Sequence, residues 1–295
     1  MPVNPSPAVG SSGLSDAEPH LSWLILALMV GGAVGLAITW TAPDRGTEAW
    51  VAWTAIAVAL TAAAGVAALN GVMCWRVLKT LHPITLRDVG PTVVALTLVP
   101  VVVVVASLTV ASSGSSVRGA SLIGVAILGS IPTLVAMASI RLVAGAEPLP
   151  GALHRIDVLL ISRLLLQRLL WGLGALVALS TLALGVSLRL RAPALSDTDL
   201  GQQRTLVLGA IGSAIMALAY VPVATSLRGE VREEARHLFP FADGDDGDTV
   251  IARLQNRSEI EKLVGGERGV FDELVTSLVI LGPILTTAIG SYITG

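Results

Sequence analysis

Residues 50–75 read WVAWTAIAVALTAAAGVAALNGVMCW, a run from Trp50 to Trp75 without one Asp, Glu, Lys, Arg or His. A stretch of about 20 apolar residues, at ~1.5 Å per residue, crosses the ~30 Å hydrocarbon core of a bilayer as a helix. In lipid every backbone N–H and C=O must be satisfied inside the segment, so a continuous apolar run of this length is a helix. It is too unbroken for the alternating strands of a membrane barrel. Working outward, six further runs have the same character: Leu21–Trp40, Pro91–Ser112, Gly119–Ile140, Leu170–Leu188, Thr205–Leu227 and Leu274–Ile293. Trp23, Trp40, Trp50, Trp53, Trp75 and Trp171 stand at or near the ends of these runs, the placement of interfacial aromatic anchors.

Composition agrees. The 295-residue chain is 53% hydrophobic and 14% charged, against about 25% charged in soluble domains, and its mean hydropathy is +0.77. The net charge of -2 excludes the bulk positive field of a nucleic-acid binder. The dominance of Arg over Lys and the abundance of Ala, Val, Leu and Gly suit a high-GC bacterial genome. The one cysteine, Cys74, rules out an intrachain disulfide and a thiolate metal cluster. The first 20 residues, rich in Pro, Ser, Gly and Ala and free of Lys and Arg, read as a disordered tail rather than a signal peptide.

The expected architecture is therefore an all-α polytopic membrane protein with seven spans. Residues 1–20 form the tail, and 21–227 a six-helix region with an interfacial helix at 153–169. Residues 228–273 form a small helical insert, and 274–295 the seventh helix. Arg45, Arg118, Arg189, Arg191 and Arg204 fall on one side of such a threading, and the other fourteen of the nineteen basic residues fall on the opposite side. The positive-inside rule makes the richer side cytoplasmic, with the N-terminus inside and the C-terminus outside the plasma membrane.

Charge inside a span is the sharpest functional signal in a membrane protein because it is costly. On these boundaries no ionisable residue lies near the middle of any span. That argues against a carboxylate proton relay or a voltage-sensing Arg row. What remains is neutral. Asn70 offers an interhelical hydrogen bond or a ligand contact. Pro100, Pro132, Pro222 and Pro283 each free a carbonyl and can kink a helix, framing a hinge or pore. Gly31-xxx-Gly35, Ala59-xxx-Ala63 and Gly209-xxx-Ser213 provide small faces for close helix contact.

The insert carries the remaining signals. Glu234-Ala235-Arg236-His237 sets a carboxylate and an imidazole on one helical face. A carboxylate-bridged metal site needs two such motifs and two more carboxylates, so this one reads as a solvated face. Asp243, Asp245, Asp246 and Asp248 form an acidic loop over 243–248. Counted from Asp243, the sixth and twelfth positions are Asp248 and Leu254 rather than the Gly and Glu of an EF-hand. Asp246-Gly247 and Ala252-Arg253 have the composition of the membrane CDP-alcohol phosphotransferase motif. They stand further apart than that pattern allows, and only Asp272 follows where paired Asp residues are required. Beyond the loop, Asp248 is expected to cap one short helix and Ser258, with Glu261, a second, with a bend between them.

No acid, base, nucleophile or metal-ligand constellation emerges, so no cofactor is implied and an enzyme is disfavoured. The expected function is a non-catalytic scaffold, anchor or regulatory component embedded in the lipid bilayer. It would act through the 228–273 insert on a cytoplasmic protein partner or a second copy, with Phe239, Phe241 and the four Asp residues as candidate surface. The alternative is a permease or channel-like subunit built on the Pro-kinked helices.

Overall fold

The computed structural model describes residues 21–42, 45–110, 114–146, 155–189, 198–240 and 246–264. They form seven helices: α1 (Leu21–Trp40), α2 (Glu48–Leu81), α3 (Leu86–Val110), α4 (Gly114–Gly145), α5 (Arg155–Arg189), α6 (Thr198–Leu238) and α7 (Gly247–Val264). Five are long enough and contain a window apolar enough to cross a membrane, lying within Leu21–Trp40, Trp50–Leu81, Val117–Gly145, Arg155–Ala183 and Gly209–Leu238. The span expected over 91–112 coincides with α3 as far as Val110. The tail and the seventh expected span lie outside the described residues.

The bundle is assembled on α2, which packs against α1, α4 and α5. Small residues make this possible. On one side Gly31 and Gly35 of α1 lie so close to Thr61 and Val58 that a Cβ at either would collide with α2. On another, a Cβ at Gly71 would strike the backbone of Pro132 and Thr133, and one at Gly129 would strike Ala64. Ala57, Ala64 and Ala67 of α2 are buried between these neighbours. The approach of α4 also permits a buried interhelical hydrogen bond, from the Thr133 hydroxyl to the Ala67 carbonyl at 3.0 Å. The small-residue pair Gly31-xxx-Gly35 is thus used within the chain, whereas Ala59 faces outward.

The corner between α1 and α2 is fixed by polar contacts. Thr47 caps α2 by accepting from the Trp50 N–H at 3.1 Å. The Trp50 indole donates to the Thr39 carbonyl at 3.1 Å, and Arg118 of α4 donates to the Thr41 carbonyl at 2.5 Å. These bonds satisfy carbonyls that the end of α1 leaves without helical partners. Arg45 stacks on Trp40, 3.6 Å from the ring centroid. Trp23, Trp40 and Trp171 are exposed, as anchors should be, but Trp53 is buried in the core.

Three expectations are corrected. The interfacial helix at 153–169 and the span at 170–188 are one continuous helix, Arg155–Arg189. Arg155, Arg163 and Arg168 lower the local hydropathy, yet Leu159, Leu165, Leu166, Leu169 and Leu173 form an unbroken buried stripe, so nothing requires a break. The two short helices after the acidic loop are likewise one helix, Gly247–Val264, with Ser258 in its interior. Finally, α7 is capped not by Asp248 but by Asp246, whose carboxylate accepts from the Thr249 N–H at 3.0 Å.

Replacing Gly71 by Val forces α2 and α4 apart. We expect a destabilisation of about 1–3 kcal/mol, typical of overpacking, read as a lowered Tm in detergent, whereas Gly119→Val, at a site with open space, leaves Tm unchanged.

Candidate functional site

Two polar clusters stand out in an otherwise apolar bundle. The first lies where α5 begins. Arg155 meets Glu230 at 2.5 Å and Glu234 at 3.2 Å. Both acids project from α6 one helical turn apart, so a single guanidinium spans them. All three side chains are largely shielded, retaining 23%, 22% and 16% of their exposure. Beneath them Ala144, Leu159, Leu227 and Val231 form a small core that joins α4, α5 and α6, with Ile260 of α7 packed against it. The ion cluster thus clamps α5 to the polar extension of α6.

That extension continues α6 without interruption from its apolar segment to Leu238. At its tip the chain turns back, and α7 is latched to the turn by two arginines. Arg257 donates to the Phe239 carbonyl at 2.9 Å through Nε, and Arg253 donates to the Pro240 carbonyl at 2.5 Å. Cations suit the negative end of a helix dipole, and these carbonyls have no partner further along α6. The result is a braced two-helix arm. Ile251 and Leu254 lie exposed on its α7 side, and Arg232, Glu233, Arg236 and His237 occupy the free face of α6 around a concavity of about 600 Å³.

The second cluster lies within the apolar segment. Arg168 donates to the Asn70 side-chain oxygen at 2.9 Å, joining α5 to α2. Buried Cys74 sits one turn along α2. Arg168 lies inside Arg155–Ala183, the stretch of α5 that contains an apolar window long enough to cross a membrane, and the span expected from Leu170 begins two residues after it.

The sequence candidates distribute as follows. Asn70 is the acceptor just described. Pro132 packs its backbone against Gly71, and Pro222 lies inside α6 with an exposed side chain. Pro100 lies within α3. Phe239 lends its carbonyl to the arginine latch, Asp246 caps α7, and Asp248 is exposed in the first turn of α7. Phe241, Asp243, Asp245 and Pro283 lie outside the described residues. Glu234 of the Glu-x-x-His motif faces Arg155 while His237 is exposed. Among the described residues no group of three or more His, Cys, Asp or Glu could hold a metal ion. Arg155, Glu230 and Arg168 were missed as site residues. Their partners are 75 and 98 positions away in sequence, and no local pattern announces such pairs. Compared with protein-family models, curated proteins and solved structures, the chain finds no match in any of the three.

A double-mutant cycle on Arg155→Met and Glu230→Gln should return a coupling of about 1 kcal/mol that shrinks with added salt, as expected of a partly shielded ion pair. The Asp246 cap predicts a pH dependence. Hydrogen bonds from the Thr249 side chain and backbone hold its carboxyl below the ordinary 3.8. A depressed carboxylate stabilises the fold fully above its unfolded value and loses that contribution as pH falls through the folded one. Hydrogen-exchange protection at Val250 and Ile251 should therefore hold from neutrality down to about pH 4 and decline only below it. In Asp246→Asn this acid-dependent decline should disappear.

Proposed function

We propose that the chain is a non-catalytic, multi-pass component of a bacterial plasma membrane that scaffolds, anchors or regulates a soluble partner through the arm formed by α6 and α7. In this reading the arm is cytoplasmic, the protein has seven spans, and the N- and C-termini lie inside and outside respectively. The observation that carries the proposal is the bracing of the arm. A polar helix projecting beyond its apolar segment gains no lipid contact. Yet α6 stays helical to Leu238, is clamped by Arg155, and carries a second helix latched by Arg253 and Arg257. Fixing that geometry costs conformational entropy and is useful where a surface must be presented in one orientation. The exposed Ile251 and Leu254, beside charged residues, fit a partner surface with an apolar centre and polar rim.

The alternative of a permease or channel-like subunit rests on Pro132 and Pro222 within α4 and α6. A conducting path needs polar groups that face the substrate. The hydroxyls lining the recess between α3, α4, α5 and α6 instead bond to carbonyls of their own helices, and the arm is left without a role. The scaffold reading therefore ranks first.

A photo-crosslinking residue in place of Ile251 or Leu254 should yield one discrete adduct with a soluble protein in cells. Arg253→Ala combined with Arg257→Ala, which unlatches α7, should abolish it while membrane insertion persists. Solute flux in reconstituted vesicles that is lost in Pro222→Ala, with no adduct at the arm, would favour the permease. For the threading, in a Cys74→Ser background, Asp245→Cys should be labelled only after permeabilisation and Asp197→Cys from outside.

A further inference from the structure

We propose that the free face of α6 in the arm docks an acidic segment of a soluble partner protein, with Arg232 and Arg236 as its contacts. The inference rests on the arm's partner-binding role and names the chemistry of that partner. Beyond Leu227 the sequence of α6 sorts into rows whose members stand one helical turn apart. Leu227, Val231 and Ala235 form the buried row. Glu230 and Glu234 face α5, where Arg155 meets both. Arg228, Arg232 and Arg236 form a third row, and Gly229, Glu233 and His237 a fourth. Arg228 is half-buried and already engaged. Arg232, Glu233, Arg236 and His237 are exposed, and a side chain added at Gly229 would meet open space.

The basic row is a conflict within the chain. Like charges four residues apart on a helix repel, and Arg232 stands one turn from an arginine on either side. Glu230 and Glu234, which could offset that charge, are held on the α5 side by Arg155. Among the described residues neither Arg232 nor Arg236 makes an ion pair or hydrogen bond, even with Glu233 on the same face. An anionic counterpart turns the repulsion into attraction, because guanidinium holds carboxylate through short, often bidentate hydrogen bonds. Position selects among anions. A net charge of -2 gives no field for a long polyanion such as nucleic acid. If α6 leaves a bilayer near Leu227, Arg236 lies ~14 Å beyond that point at 1.5 Å per residue. That is past the ~8–10 Å over which surface charge acts near physiological salt, so a headgroup layer reaches only the base of the row. A segment lying along α6 meets Arg232 and Arg236 together. They are ~6 Å apart along the axis, the spacing of acids one turn apart on a partner helix.

The test uses the full chain in phosphatidylcholine nanodiscs and a fluorescent helical peptide of Ala and Gln with Glu at one-turn spacing along one face. Its affinity, read by anisotropy, should fall severalfold in Arg232→Gln combined with Arg236→Gln, and the difference should shrink with added salt. Arg76→Gln combined with Arg87→Gln removes the same charge from exposed positions outside the arm and should leave the affinity unchanged. In Arg232→Glu combined with Arg236→Glu the preference should reverse, toward the same peptide with Lys in place of Glu. The milder Gln pair decides where that variant fails to fold. Equal losses in the arm pair and the outside pair would overturn the proposal. So would a labelled oligonucleotide that binds more tightly than the peptide and is lost in the same arm variant. In cells, the adduct formed from a photo-crosslinking residue in place of Ile251 should disappear in the arm pair. An adduct that survives there overturns this proposal alone, whereas no adduct in the chain with both arginines intact overturns the arm's partner-binding role as well.

Discussion

The structure depends on how closely helices can approach α2. Among apolar segments in lipid, association has no hydrophobic drive and relies on van der Waals contact and interhelical hydrogen bonds. Both fall off steeply with distance. Gly31, Gly35, Gly71 and Gly129 remove the side chains that would hold the helices apart, and the hydrogen bond from Thr133 to Ala67 exists only because α4 can come so near. Once α1 and α4 are seated on α2, the leucine stripe of α5 finds a ready surface, and α6 closes over it. Large side chains dominate the second half of this assembly and their near-absence dominates the first.

Much of this architecture was legible in the sequence. Apolar runs bounded by Trp and Arg announced α1, α2, α4 and the apolar part of α6, because burial in lipid demands length and continuity and those are local properties. The Gly31-xxx-Gly35 pair announced a contact but not its partner. What stayed hidden was non-local. A hydropathy reading treats Arg163 and Arg168 as a boundary. It does not register that a guanidinium can remain within an apolar segment when an amide such as Asn70 stands opposite. The Ser258–Glu261 pattern satisfies the local rules for a helix start, yet α7 runs through it. Arg253 and Arg257 both reach the end of α6 only from a single straight helix. Asp246 and Asp248 were equally good caps by composition, and the choice fell to the one whose carboxylate meets the Thr249 N–H.

The two polar clusters differ in kind. Arg168 and Asn70 join α5 to α2 inside the bundle, among apolar neighbours. Arg155, Glu230 and Glu234 sit where α5 begins and the polar end of α6 leads into the arm. Each places a cation from α5 against an acceptor on another helix, so α5 is the element through which the bundle interior and the arm are tied together.

One consequence concerns leverage. α6 is a single 41-residue helix, and Glu230 is the point at which Arg155 holds it. Met216, at the recess, lies ~21 Å from that point on one side, and Leu238, at the arm's tip, ~12 Å away on the other, at 1.5 Å per residue. Displacement of the tip is opposed by the contacts of Arg155 with Glu230 and Glu234 and by the packing of Leu227 and Val231 beside them. α7, latched to that tip, is carried with it.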